Sequence, residues 1–248
     1  MKKEKIAISI DRPTREMVDA MVDGLTMRSR SQAIEFLISK GIEHQYIRDA
    51  VILIKGDHAD TLLKTIEKKP LLSHQLEWLS THGVQNVYVI TGESASLQKI
   101  RELCDISQLR VKIVIDEKQA GTVPALSLAR KELQRNFIVM LGDTLNRFDL
   151  TKMILFHLKH DRIATVGLIS TPDPQHFSTV DLEGDKIVEF RKQGSDSHII
   201  DAGIYIFKPS IFRQLAGKYL DRDVFPTLCH TNDIKGYFTF GKYSHMGK

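Results

Sequence analysis

Short apolar segments alternate with amphipathic segments over most of the chain after Ala50. The pattern predicts strands over residues 51–54, 84–91, 110–116 and 137–141, and helices over residues 71–82, 94–103 and 125–133. Such alternation is typical of a mainly parallel sheet with helices on both faces. After a helix over residues 150–158 the pattern is richer in strands, over 164–170, 179–190 (a hairpin turning at Gly184-Asp185) and 204–207. We therefore expect an α/β domain with a mixed sheet over residues 50–248.

The composition of the 248 residues is that of a soluble globular protein, with 42% hydrophobic and 27% charged residues. No apolar run approaches the ~18–20 residues of a membrane span. The first residues lack a signal-peptide core, so we expect no membrane partner. Cys104 and Cys229 match neither a disulfide framework nor a metal-binding spacing, which favours a reduced, cytoplasmic location. The net charge of +4 permits a nucleic-acid partner but does not require one.

The first 46 residues have a different pattern and are expected to form a separate domain. Ile6, Ile8 and Ile10 alternate with small or polar residues, which predicts a half-buried strand. Asp11 and the early proline after it predict the start of a first helix. Ser29 and Gln32 have capping-box spacing at the start of a second helix. A lone strand has no partner within this segment, so the simplest remedy is a second copy of the chain, with the two strands paired antiparallel.

This strand-helix-helix segment resembles the ribbon-helix-helix repressor family over residues 3–43. The resemblance implies a dimerising β-α-α domain whose paired strands enter the major groove of double-stranded DNA. Backbone N–H groups at the start of the second helix would hold a phosphate. The residues implied in DNA contact are Lys3, Lys5, Ala7, Ser9, Arg28, Ser29, Arg30 and Ser31. A dimerisation unit without any DNA role is the alternative, and assembly of dimers into tetramers is left open.

Four segments after Ala50 resemble the sugar-1-phosphate nucleotidylyltransferases: residues 69–79 (KPLLSHQLEWL), 121–126 (GTVPAL), 141–143 (LGD) and 201–207 (DAGIYIF). The resemblance implies a Rossmann-like α/β/α sandwich of the GT-A nucleotidyltransferase type with a mixed sheet. It also implies a ligand pocket at the carboxyl ends of the strands. The implied pocket residues are Lys69, Gly121, Thr122, Gly142, Asp143, Asp201 and Gly203. Asp143 matches the family's metal-binding position, and Mg²⁺ is the cofactor that it would hold.

The sequence departs from this family's pattern at four places. Residues 55–60 (KGDHAD) replace the glycine-rich loop and its arginine, and the shortened segment that follows lacks the family's catalytic lysine, for which Lys64 is the candidate replacement. Residues 192–194 (KQG) replace the family's Glu-Lys-Pro, which removes the acid that binds the sugar. Thr239 stands where the resemblance puts a second metal carboxylate. The loss of even one charge-stabilising group can slow an enzyme by ~10²–10³, so these departures predict little turnover.

Our main hypothesis from the sequence is a nucleoid-associated, DNA-binding transcription regulator. Its C-terminal domain would have lost catalysis and would sense a nucleotide, a sugar phosphate or a nucleotide sugar. The first alternative is an active Mg²⁺-dependent sugar-1-phosphate nucleotidylyltransferase whose N-terminal module serves dimerisation or DNA binding. The second is an architectural DNA-binding protein whose large domain only oligomerises.

Overall fold

The structure is a computed structural model that describes residues 6–45, 47–192 and 197–247. It divides the chain into two compact units, Met1–Tyr46 and Ile47–Lys248. Four residues that carried sequence predictions lie outside the described residues: Lys3, Lys5, Gln193 and Gly194. None of the helices within the described ranges combines the length and the apolar character needed to cross a membrane.

The N-terminal unit contains two helices, α1 (Arg12–Ala20) and α2 (Arg30–Gln45). Asp11 caps α1, because its carboxylate accepts a hydrogen bond from the Thr14 N–H at 2.8 Å. At the start of α2 the Ser29 hydroxyl accepts from the Gln32 N–H at 3.3 Å, while the Gln32 side chain accepts from the Arg28 N–H at 2.9 Å. Both helix starts that the sequence predicts are therefore confirmed.

The strand predicted over residues 6–10 is not formed in the single chain. Ile6, Ile8 and Ile10 are 75%, 50% and 41% exposed. A strand needs a neighbour for its backbone groups, and residues 6–45, the described part of this unit, contain no other strand. The structure therefore shows the two helices of this unit but not the ribbon-helix-helix arrangement.

The C-terminal unit is an α/β fold. Its strands are β1 (Asp49–Leu53), β2 (Thr65–Ile66), β3 (Lys69–Pro70), β4 (Asn86–Thr91), β5 (Arg110–Ile115), β6 (Phe137–Leu141), β7 (Thr144–Arg147), β8 (Ala164–Ser170), β9 (Ser178–Glu183), β10 (Lys186–Lys192), β11 (Ile199–Phe207), β12 (Ile234–Phe238) and β13 (Lys242–His245). Its α-helices are α3 (Leu71–Thr81), α4 (Leu97–Asp105), α5 (Thr122–Ser127), α6 (Leu150–Lys159) and α7 (Phe225–His230). Shorter helical turns span Gly56–Leu63, Pro209–Arg213 and Leu220–Val224.

Nine strands form one mixed sheet in the order β5-β4-β1-β6-β11-β8-β12-β10-β9. The first four are parallel, whereas β11 runs antiparallel to both β6 and β8. Two small antiparallel pairs, β2 with β3 and β7 with β13, lie outside this sheet. The mixed α/β sheet predicted from the sequence is therefore confirmed.

The sheet is buried on both faces, as alternate residues of β1 show. Val51 and Leu53 belong to one hydrophobic core, which also contains residues of α5 and α7. Ala50 and Ile52 belong to a second core, which contains residues of α3, α4 and α6. Because successive side chains of a strand point to opposite faces, the two cores lie on opposite sides of the sheet. Helices thus cover both faces, as the sequence pattern predicts.

Candidate active site

Two cavities lie at the carboxyl ends of the parallel strands, the edge where open α/β sheets bind ligands. The strand-end cavity has a volume of about 290 Å³ and is lined by residues that follow β1, β4 and β5. The second, named the Asp201 cavity here, has a volume of about 350 Å³. Thr122, Leu141 and Asp143 line both. The two cavities therefore adjoin, and Asp143 stands between them.

The loops of the strand-end cavity pack closely around Gln119. The Gln119 side-chain oxygen accepts a hydrogen bond from the Gly56 N–H at 2.9 Å. A Cβ on Gly92 would lie 2.3 Å from Gln119 Nε2, and a Cβ on Gly56 would lie 2.9 Å from the Gly92 Cα. At Gly56 the close atoms are backbone atoms, so a side chain there would push the two loops apart, whereas at Gly92 the Gln119 side chain would have to move. Lys55 and His58 also line the cavity, and the Lys55 ammonium supplies a positive charge.

Gly121 and Thr122 start α5 between the two cavities. Gly121 has φ +133°, and a Cβ there would lie 2.2 Å from the Lys218 carbonyl oxygen, so this turn requires glycine. The Thr122 hydroxyl accepts a hydrogen bond from the Leu220 N–H at 2.9 Å. These contacts fix the turn against the segment around residues 218–220.

The half-buried carboxyl group of Asp201 defines the Asp201 cavity. Its two oxygens accept hydrogen bonds from the Gly203 N–H and the Tyr205 hydroxyl, both at 2.8 Å. Burial nevertheless raises the pKa of Asp201 to about 7. Ser178 donates to Asp221 at 2.7 Å in the same cavity. These hydroxyl and carboxyl groups suit a ligand rich in hydroxyl groups.

Asp143 contacts His245 and Met246. Its backbone oxygen accepts from the Met246 N–H at 2.7 Å, and its Oδ2 lies 3.5 Å from Nε2 of His245. The pairing of β13 with β7 brings His245 there. Within the described part of the chain, Asp143 Oδ1 is buried without a hydrogen-bond partner, which fits a cation ligand. Asp143 and His245 are thus the residues that could hold a divalent cation.

Thr239 does not lie beside Asp143, where the resemblance puts a second metal carboxylate. It follows β12, and its N–H donates to the Leu168 oxygen at 2.7 Å. The structure brings His245 to Asp143 instead. Sequence reasoning missed His245 because no local spacing indicates that β13 pairs with β7. Among residues 6–45, 47–192 and 197–247 no three His, Cys, Asp or Glu side chains form a metal-binding group, so the chain offers this cation two donors.

Six of the seven predicted pocket residues lie at this edge. Gly121, Thr122, Asp143, Asp201 and Gly203 line the cavities, and Gly142 is buried directly before Asp143. Lys69 lines a different groove, and its ammonium pairs with Glu77 at 2.6 Å. Lys64 donates to the Met246 carbonyl oxygen at 2.6 Å, next to the segment that contacts Asp143.

The predicted DNA contacts that fall on described residues are all exposed: Ala7, Ser9, Arg28, Ser29, Arg30 and Ser31. Arg30 is engaged within the unit, since its guanidinium pairs with both carboxylate oxygens of Asp19. Ser29 caps α2, as described above. Two of the candidate phosphate-binding side chains therefore have structural roles inside the unit.

The model of the nucleotidyl transferase family matches residues 57–238 of the chain. The chain is 29% identical over 192 residues to mannose-1-phosphate guanylyltransferase catalytic subunit beta of Danio rerio, covering 73% of this chain and 53% of that protein. It is 26% identical over 195 residues to the mannose-1-phosphate guanyltransferase of Aspergillus fumigatus, covering 68% and 51%. The chain thus spans about half the length of the curated relatives it matches.

Solved structures show the same fold. The inositol-1-phosphate CTP transferase of T. maritima superposes with a TM-score of 0.69 at 15% identity, covering 82% of this chain and 90% of that one. HddC from Yersinia pseudotuberculosis superposes with a TM-score of 0.69 at 22% identity, covering 81% and 94%. At these identities the likeness concerns the fold alone.

These comparisons contradict our main hypothesis of a DNA-binding transcription regulator with a catalytically inactive domain. The curated relatives are named as mannose-1-phosphate guanylyltransferases, which favours the alternative of an active transferase. Nothing in them supports a ribbon-helix-helix domain or a DNA partner. The error came from treating the missing loop arginine and second carboxylate as decisive, although other side chains line the same cavities. Because the family model covers most of the chain and the fold agrees with it, the protein belongs to the nucleotidyl transferase family.

Proposed function

We propose that the C-terminal unit transfers a nucleotidyl group from a nucleoside triphosphate to a sugar 1-phosphate and releases pyrophosphate. The observation that carries this proposal is the pair of adjoining cavities that share Asp143 and Thr122. Two substrates bound side by side would bring their phosphates together at this shared wall. Holding two reactants close together and correctly oriented is a major source of rate acceleration in such reactions.

The strand-end cavity is the place for the triphosphate. Gly92, Lys55 and His58 line it. The Lys55 ammonium can offset phosphate charge, and the His58 imidazole can donate a hydrogen bond to a phosphate oxygen, in a loop that lacks the family's arginine. The Asp201 cavity is the place for the sugar 1-phosphate. Its carboxyl and hydroxyl groups can bind sugar hydroxyls, and Arg222 lines it as a cation for the phosphate.

The transfer forms one bond and breaks one. A phosphate oxygen of the sugar 1-phosphate bonds to the α-phosphorus of the triphosphate. The bond from that phosphorus to the oxygen bridging to the β-phosphate breaks, and its electron pair leaves with pyrophosphate. Catalysis then depends mainly on position and on the stabilisation of charge. A divalent cation held by Asp143 and His245 would neutralise charge on the phosphate oxygens.

The names of the curated relatives indicate the first substrates to test, GTP and mannose 1-phosphate. The assay measures pyrophosphate release by the full chain, with other nucleoside triphosphates and sugar 1-phosphates as a panel. We expect turnover that requires both substrates and falls by ~10² or more in Asp143→Asn, as for loss of one charge-stabilising group. Exposed Asp173→Asn is the matched control and should keep wild-type activity. No pyrophosphate above the Asp143→Asn level across the panel would contradict the proposal.

For the N-terminal unit we infer association with a second copy of the chain. The basis is its exposed apolar side chains: Ile6, Ile8, Ile10, Met17, Leu25, Phe36, Leu37 and Ile38 are 40% to 82% exposed. So many exposed apolar groups in a short segment indicate an interaction surface. The mass in solution, measured by light scattering, should be that of a dimer for the wild type and of a monomer for Ile8→Asp. A monomeric wild type at high concentration would contradict this inference.

A further inference from the structure

The side chains at Asp143 make an unusual donor set for the cation of a phosphate-transfer enzyme. Mg²⁺ prefers oxygen ligands and octahedral geometry. Imidazole nitrogen instead suits first-row transition metals. Among the described residues, the His245 imidazole pairs with the Asp143 carboxylate, and no group of three or more His, Cys, Asp or Glu side chains that could hold a metal ion is found. The chain therefore presents one carboxylate and one imidazole.

The distances permit both groups to bind one ion. Asp143 Oδ2 and His245 Nε2 are 3.5 Å apart, and a metal at ~2.0–2.2 Å from each fits between atoms at that separation. Both side chains are partly exposed, at 29% and 26%, so an ion can reach them from the cavity. Asp143 Oδ1 is buried and, within the described residues, has no hydrogen-bond partner that a bound ion would displace.

The surroundings of the pair allow an ion with modest rearrangement. A Cβ on Gly247 would lie 2.9 Å from Asp143 Oδ2 and 2.8 Å from His245 Cε1, so only glycine leaves this space open. The Gly247 N–H lies 3.3 Å from His245 Nδ1. Coordination through Nε2 requires the proton on Nδ1, so this contact is lost when the ion binds. At 3.3 Å it is longer than an ordinary N–H hydrogen bond, and its loss is a small penalty.

We propose that Asp143 and His245 form a mixed oxygen–nitrogen site that binds a first-row transition cation in preference to Mg²⁺. Two protein donors leave several positions of the ion to phosphate oxygens and water. The site therefore rests on the proposed function for its phosphate ligand, but its metal preference can be measured without turnover.

The test uses the full chain with Mn²⁺ and inorganic pyrophosphate, which contains no nitrogen. Electron spin-echo spectroscopy of Mn²⁺ detects directly bound ¹⁴N, and labelling with ¹⁵N-histidine identifies it as imidazole. We expect an imidazole signal in the wild type and its loss in His245→Ala and His245→Asp. His230→Ala is the matched control, because His230 is exposed and lines neither cavity, and it should keep the signal.

Affinities measured by competition provide the second readout. Mn²⁺ should bind the wild type at least about tenfold more tightly than Mg²⁺ does, and His245→Ala should remove most of that advantage; even outer-shell partners of a metal are worth about 10–100-fold in affinity. His245→Asp, with two carboxylates, should shift the preference toward Mg²⁺. Bound Mn²⁺ without a ¹⁴N signal, or equal affinity for the two ions, would overturn the proposal.

The two proposals fail separately. Pyrophosphate release with Mg²⁺ and no nitrogen ligand on Mn²⁺ would overturn the mixed site and leave nucleotidyl transfer intact. A histidine signal that His245→Asp removes, in a chain without turnover on any substrate, would support the mixed site and contradict the proposed function.

Discussion

Two apolar segments of this protein, β1 and residues 6–10, differ in whether their side chains are buried. In β1, Val51 and Ile52 point to opposite faces of the sheet, and each is fully buried in its own core. In the N-terminal unit, Ile6 and Ile8 alternate with small and polar residues, and they are 75% and 50% exposed. The difference is the neighbour, since β1 lies between β4 and β6. An apolar segment forms a strand only where neighbouring strands pair with its backbone groups.

Among the changes that test this comparison, Phe137→Ala in β6 should lower the free energy of unfolding most. The Phe137 ring is fully buried and packs against Phe207 and Phe212, with centroids 5.8 and 5.6 Å away. Phe137→Ala should destabilise the C-terminal unit by about 3–5 kcal/mol through lost burial and a cavity. Denaturant unfolding followed by the fluorescence of Trp78, the only tryptophan, measures this unit. Phe240→Ala, at a ring that is 91% exposed, is the control and should shift the midpoint little.

A second difference between the units is that the C-terminal one buries titratable groups. His157 on α6 is fully buried, and its Nδ1 lies 2.8 Å from the Thr165 hydroxyl. Burial lowers the pKa of His157 to about 3, with smaller contributions from His160 and Lys208. The unfolded chain therefore binds more protons between about pH 6.5 and 3. The stability from this group is complete above pH 6.5 and is lost progressively as the pH falls toward 3.

The next largest expected change is the loss of stability that His157 causes as the pH falls. At pH 5 the wild type should have lost about 2 kcal/mol from His157 relative to pH 7. His157→Asn should unfold with a weaker dependence on pH than the wild type between pH 7 and 5. Asp201 acts in the opposite direction because its pKa is raised to about 7, but it is present in both proteins and cancels in the comparison. Equal pH dependence in the two proteins would show that His157 does not titrate in this way.

The same contrast explains which parts of the structure could be predicted from the sequence. The segments of β6 and α3 follow from local patterns, because their apolar residues meet partners that neighbouring segments supply. Gly121 and Asp143 follow from short motifs at strand ends. His245 could not be found in this way, because it reaches Asp143 only through the pairing of β13 with β7, segments far apart in the chain.

The incorrect functional hypothesis has a similar cause. The sequence shows that the loop of residues 55–60 lacks an arginine, whereas only the structure shows that Lys55 and His58 of this loop line the cavity. The second metal position was assigned to Thr239 on linear spacing, and the structure puts that residue beside β8 instead. A motif can therefore identify a place in a fold, but a missing motif residue does not establish that the place lacks the chemistry.

The smallest change in stability is expected for Ile6→Ala. This substitution tests whether a second copy of the chain covers the N-terminal unit. Ile6→Ala in a dilute, monomeric protein should change stability by less than about 0.5 kcal/mol, as for other exposed positions. Ile106→Ala is the matched control, since Ile106 is 79% exposed in the C-terminal unit. If a second copy covers Ile6, the effect of Ile6→Ala must grow with protein concentration, because association stabilises by mass action. The effect of Ile106→Ala must stay constant. Hydrogen exchange of α1 amides across a concentration series measures the difference, and parallel behaviour of the two variants would mean that Ile6 stays in water.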